Sequence, residues 1–116
     1  MRGNVVKEKS FNFAVRVVNL SKYLIEQKRE FVLSKQILRA GTAIGALVRE
    51  SEHAESKADF IHKLSVALKE ANEADYWLDL LHTTKYLEEK QHQSLKTDLI
   101  ELLKLLTAIL KTSKNN

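Results

Sequence analysis

The chain has no cysteine, no proline and only three glycines among its 116 residues. Without cysteine there is no disulfide scaffold, no thiolate nucleophile and no Cys-ligated metal. Without proline, and with so little glycine, a turn-rich all-β fold lacks the residues its turns require. No apolar run approaches the roughly 18 residues that cross a bilayer, and Met1–Ser10 is too polar for a signal peptide. The expectation is a soluble, cytoplasmic protein with no membrane partner. What is present is 44% hydrophobic and 29% charged residues in 13.3 kDa. That suits one domain with a limited core, so partner chains are expected to supply part of the burial.

The formal charge of +4 is unevenly placed. Residues 1–55 carry ten basic and six acidic side chains, whereas residues 56–116 carry nine of each. A basic N-terminal half suits an acidic partner or a phosphate backbone.

Hydrophobic spacing predicts four helices, at about 10–27, 35–51, 57–83 and 95–111, with frayed tails at 1–9 and 112–116. The third carries the clearest stripe: Phe60, Leu64, Ala67, Ala71, Ala74, Leu78 and Leu81 alternate by four and three. Ser56 is its expected N-cap, with Asp59 in the first turn. The second has the core line Ile37, Gly41, Ile44 and Val48, and Ser34 as its expected cap. Gly41 and Gly45 each cost about 1 kcal/mol in a helix interior relative to alanine. Such a cost fits a close helix crossing better than a ligand lying over the glycines. The fourth repeats the spacing with Leu95, Leu99, Leu102, Leu106 and Ile109, widened by Ile100, Leu103, Leu105 and Leu110. The first offers two apolar lines: Phe11, Ala14, Val18 and Ile25 on one, Phe13, Val17, Leu20 and Leu24 on the other. A bundle helix needs roughly a third of its circumference apolar. The surplus on helices one and four therefore implies a neighbouring subunit. Short connections make sequential helices antiparallel neighbours, so the fold class is all-α, an antiparallel up-down-up-down four-helix bundle.

Chemistry is harder to find. Asp59–His62, Asp79–His82 and Glu89–His92 each place an acid three residues before a histidine. A di-metal bundle needs such pairs pointing inward from helix middles, with further carboxylates. Here Asp59 and His62 open a helix, and Glu89–His92 falls in an expected loop. His53 lies at a connection and Ser65 lacks an orienting acid beside His62. There is no Gly-rich phosphate loop or nucleotide fingerprint. The expectation is no enzyme, no metal, no cofactor and no small-molecule substrate.

Two groups stand out on the surface. Arg16, Lys22, Lys35, Arg39 and Arg49 are the positions expected to meet nucleic acid, because they lie on helices one and two in the net-basic half. Phe11, Phe13, Arg39, Glu50, Glu70, Glu73, Tyr76 and Trp77 are expected to hold the bundle or form a subunit interface. Arg39 is a partner for Glu70 or Glu73 across helices. Tyr76 and Trp77 suit either lateral packing or an intersubunit anchor.

The run from Leu33 to Glu50, LSKQILRAGTAIGALVRE, and the run from Ser56 to Leu81, SKADFIHKLSVALKEANEADYWLDLL, carry a resemblance. They resemble the four-helix bundle family named for the 23S rRNA intervening-sequence protein, also called S23 ribosomal protein-like. More distantly the chain resembles the accessory proteins of diversity-generating retroelements, which work with a reverse transcriptase and nucleic acid. The resemblance implies ring-like homopentamers of antiparallel bundles and no established enzymatic role. Arg39, Glu50, Phe60, Lys69, Glu70, Tyr76 and Trp77 agree with the family pattern. Ala43 and Leu47 depart from it, standing where a serine and an asparagine are usual. The leading expectation is a self-assembling protein binding RNA, DNA or a nucleoprotein; the alternative is a structural or protein-interaction oligomer.

Overall fold

A computed structural model describes residues 2–115 as four helices: α1 (Arg2–Lys28), α2 (Leu33–Ser51), α3 (Lys57–Thr83) and α4 (Glu89–Asn115). Each packs on its neighbours in the cycle α1–α2–α3–α4–α1, and among the described residues the diagonal helices do not approach backbone to backbone. The result is an all-α four-helix bundle about 46 Å long and 21 by 19 Å across. Helix termini alternate between two ends. The 29–32 and 84–88 turns share one end; the 52–56 turn, the start of α1 and the end of α4 share the other.

Two helices are longer than their apolar stripes. Residues 2–9 and 112–115 are helical rather than frayed, and α4 starts at Glu89, not Leu95; Met1 and Asn116 lie outside the described residues. Val6 and Ser10 are buried, and Lys7 pairs with Glu52 at 3.2 Å, so α1 is anchored from Val6 onward. At α4 the Gln91 side chain accepts from the Glu88 N–H at 2.9 Å, which caps a polar first turn. Such a turn has no apolar period to betray it.

The core contains Phe13, Val17, Leu20 and Leu24 from α1, so one of its two apolar lines faces inward. From α2 come Ile37, Ala40, Ile44 and Val48; from α3, Leu64, Ala67, Ala71, Ala74, Leu78 and Leu81. From α4 come Leu95, Leu99, Leu102, Leu106 and Leu110, the last replacing Ile109 on the inner line. The α1–α2 crossing explains both glycines. A Cβ on Gly41 would sit 2.7 Å from Val17 Cγ2, and one on Gly45 would sit 3.2 Å from the Ser10 carbonyl oxygen.

Caps follow local chemistry. Ser56 Oγ accepts from the Asp59 N–H at 3.0 Å, as its spacing predicts. Ser34 does not cap α2. The helix begins two residues earlier than expected, at Leu33, and the Ser34 N–H donates to the Glu30 carboxylate at 2.8 Å. Ser34 Oγ is buried and has no hydrogen-bond partner among the described residues. With few glycines available, Arg29 (φ 54°) and Lys85 (φ 70°) take the left-handed positions that end α1 and α3. After α3 the Tyr86 N–H donates to the Leu81 carbonyl at 2.9 Å, closing a Schellman turn.

Two stability outcomes follow, both read by urea denaturation. Gly41→Ala destabilises by about 1–3 kcal/mol despite its better helix propensity, because Val17 has no room to yield; adding Val17→Ala makes the glycine replacement less costly. Glu30→Ala costs about 1 kcal/mol, as the loss of a helix cap does, whereas Ser34→Ala is close to neutral.

Candidate functional site

The outer face of α1 is the most unusual surface. Phe11, Val15, Val18 and Ile25 follow one another by four, three and seven residues and so form one stripe. All four are exposed, Phe11 to 53%. The line Phe13–Val17–Leu20–Leu24 has taken the core; of the other line Phe11, Val18 and Ile25 are exposed and Ala14 is half-buried, with Val15 joining the exposed stripe. Beside the stripe, between α1 and α2, lies a groove of about 550 Å³ lined by Phe11, Ala14, Gly45, Ala46 and Arg49 among others. Its floor is shallow in side chains because Gly45 and Ala46 stand there. The Arg49 guanidinium lies 5.7 Å from the centre of the Phe11 ring, a cation–π contact on the groove wall. Glu50, on the same rim, pairs with Lys63 at 3.3 Å.

A polar cluster spans the α2–α3 seam. Arg39 donates to Glu70 at 3.2 Å and also pairs with Glu73. Glu73 in turn accepts from the Trp77 indole N–H at 2.9 Å. Tyr76 meets Trp77 edge-to-face at 5.0 Å between ring centres, with Trp77 half-buried and Tyr76 exposed. Arg39, Glu70 and Glu73 thus link α2 to α3, Trp77 braces Glu73 from within α3, and Tyr76 is the member left facing outward. Phe13 is also internal, at 1% exposure.

The five basic residues do not gather into one patch. Arg16 bridges α1 to α4 through Asp98 at 2.6 Å and the Ser94 side chain at 2.8 Å. Arg39 is engaged as described and Arg49 lies over Phe11. Lys22 and Lys35 are exposed and enter no ion pair among the described residues.

A third cluster corrects the sequence reading of the histidines. Glu89 and His92 are in the first turn of α4, not in a loop, and they face Asp79 and His82 near the end of α3. His82 Nε2 lies 2.8 Å from Glu89, and His92 Nε2 lies 2.9 Å from Asp79. The two imidazoles stack at 4.1 Å with planes 9° apart. Lys96 reaches Asp79 at 2.9 Å and Asp75 at 2.5 Å. Partial burial works against the charge on Asp79, but hydrogen bonds from Lys96 and His92 outweigh it and hold its carboxyl below the usual range. Burial opposes the charge of Lys96 too, and Asp75 and Asp79 overcome it, so its ammonium is held above the usual range. The signal was present as two acid-x-x-His pairs flanking a short turn. What hid it was the length of α4. Asp59 and His62 remain apart from this cluster, at the opposite end of α3. Among the described residues, no helix is long and apolar enough to cross a membrane.

A family model described as the 23S rRNA-intervening sequence protein matches residues 2–108. Among solved structures, one from Bacteroides thetaiotaomicron, described as a protein with unknown function from the S23 ribosomal protein family, is 58% identical. The match covers 96% of this chain and 99% of that one, with a TM-score of 0.95. No curated protein is similar enough to this chain to match.

The seam cluster makes a measurable statement, because Trp77 is the sole tryptophan and its emission reports that site alone. Glu73→Ala removes both the Arg39 pair and the indole acceptor, so it shifts Trp77 emission and costs about 1 kcal/mol in urea denaturation. Arg39→Ala leaves the indole bond in place and costs less than about 1 kcal/mol, as exposed ion pairs do.

Proposed function

The chain belongs to the 23S rRNA-intervening sequence protein family, and from that premise we propose that it is a non-enzymatic protein that self-assembles through the outer face of α1. The assembly presents basic residues of α1 and α2 to RNA, DNA or a nucleoprotein. The observation that carries this reading is the exposed stripe Phe11–Val15–Val18–Ile25 beside the open α1–α2 groove. A contiguous apolar face with an adjoining hollow is the usual mark of a protein contact. A second copy is the occupant that also accounts for a core limited by the size of the chain. A homopentameric ring is the expected form, the number five resting on the family resemblance alone.

Lys22 and Lys35 support an acidic ligand, being exposed and unengaged by any carboxylate among the described residues. Arg16 and Arg39 favour the second reading, a structural or protein-interaction oligomer, because both are spent within the bundle. Ring assembly would repeat Lys22 and Lys35 in every copy, so affinity for a polyanion arises from repetition rather than from a dense patch on one chain.

Light scattering of the eluting protein is expected to give a multiple of 13.3 kDa, and Val15→Glu with Val18→Glu is expected to return the mass to one chain. A wild-type monomer at micromolar concentration would overturn the assembly. Anisotropy titrations with labelled RNA should weaken as salt rises, with the slope of log K against log[salt] falling by about 0.7–0.9 for each phosphate-contacting lysine removed from a chain. No binding at low salt leaves the second reading standing.

A further inference from the structure

The histidine cluster at the α3–α4 turn lies away from the α1 face and is independent of the assembly. We propose that His82, Glu89 and His92 form a binding site for a divalent transition-metal ion of the zinc class, which clips the end of α3 to the start of α4.

The argument begins with the donor set. Two imidazoles and a carboxylate suit zinc and its neighbours, and are a poor match for magnesium or calcium, which take oxygen ligands. One ligand atom from each of the three residues lies within 4.8 Å of the others. Donors 2.0–2.1 Å from a tetrahedral ion stand about 3.4 Å apart, so closing on a metal asks for a contraction on the order of 1 Å. Side-chain rotation at this surface can supply it. Glu89 is 63% exposed and His82 32%, whereas His92 is more enclosed at 15%. One half-fixed ligand and two adjustable ones leave an open path for the ion and a fourth position for water.

The backbone already does the costly part. Glu89 and His92 are three residues apart on α4, so one helical turn presents both on the same side. His82 comes from the last turn of α3, and the buried Leu87 holds the intervening 84–88 turn against the core. The outer shell is in place as well. Asp79, three residues before His82, lies 2.9 Å from His92 Nε2, so with Nδ1 as the ligand atom its carboxylate would orient the metal-bound imidazole. Lys96 sits on Asp79 and Asp75, not among the three ligands. Counting Asp75, Asp79 and Glu89 against Lys96, the surroundings are net negative, which favours a cation. Crossed histidine–carboxylate pairing alone needs one acid per histidine. It does not need ligand atoms of both histidines and Glu89 to gather within 4.8 Å of one another from two helices.

The full chain, stripped of metal with a chelator, is titrated with zinc chloride by calorimetry. The expected result is one zinc per chain, no heat from magnesium, and a Co²⁺ derivative with the visible absorption of a tetrahedral site. His82→Ala and His92→Ala are each expected to weaken zinc binding by at least tenfold. Glu89→Gln, a change at an exposed position, is expected to weaken it in the same sense, and Asp79→Asn by about 10–100-fold as an outer-shell loss. The double variant His53→Ala, His62→Ala keeps wild-type binding. Saturating zinc raises the melting temperature of the wild type and not of His82→Ala, with circular dichroism reporting that each variant is helical at the start. Substoichiometric uptake, or uptake equal in the wild type and in the His82, His92 and Glu89 variants, would overturn the site.

Discussion

The close approach of α1 to α2 governs the molecule. Gly41 leaves a notch into which Val17 fits, and Gly45 lets the backbone at Ser10 and Phe11 come near. A helix seated in such a notch cannot rotate about its own axis without losing that contact. The seating sends Phe13, Val17, Leu20 and Leu24 into the core and leaves Phe11, Val15, Val18 and Ile25 outside. It therefore sets the core and the exposed stripe in one step. The helix-propensity cost of two interior glycines persists because the alternative is an α1 displaced from the bundle.

Charge is spent along the seams between helices. Arg16 joins α1 to α4, Arg39 joins α2 to α3, Lys63 joins α3 to α2, and Lys96 holds its two aspartates across α4 and α3. Exposed pairs like these contribute little each. Their larger consequence is for recognition, since an arginine committed to a carboxylate is not offered to phosphate. The net charge of the basic half thus overstates what one chain presents, and Lys22 and Lys35 are among the basic residues that no carboxylate engages among the described residues.

The bundle was legible because its periodicities are strong. The Leu64–Leu81 stripe and its Ser56 cap appear in the structure where their spacing puts them. Helix ends were less so. Residues 2–9 and 89–94 are helical beyond the main apolar stripes, and a polar turn extending a helix carries no hydrophobic period. The cap of α2 was misplaced for a related reason: Glu30 reaches forward to the Ser34 amide from outside the helix, and a glutamate four residues ahead of its target is not the usual N-cap signature. The Arg39–Glu70–Glu73 seam was legible as complementary charges on adjacent helices. The Glu73–Trp77 bond lies within α3 at helical spacing, but that Glu73 shares its carboxylate with Arg39 depends on how α3 packs on α2.

From the sequence alone come four helices, their antiparallel order, an apolar surplus and a basic N-terminal half, because period, loop length and composition are local quantities. The tertiary structure decided which of the two apolar lines of α1 is buried, since either satisfies the helical period and only the Gly41 notch discriminates between them. It also decided which basic residues are already paired. And it turned the two acid-x-x-His pairs, separate in the chain, into one cluster, because bringing residues 79–82 against 89–92 needs the real start of α4 and the tight turn before it. The absent cysteines still exclude thiolate ligands; the histidines, once aimed at each other, do not need them.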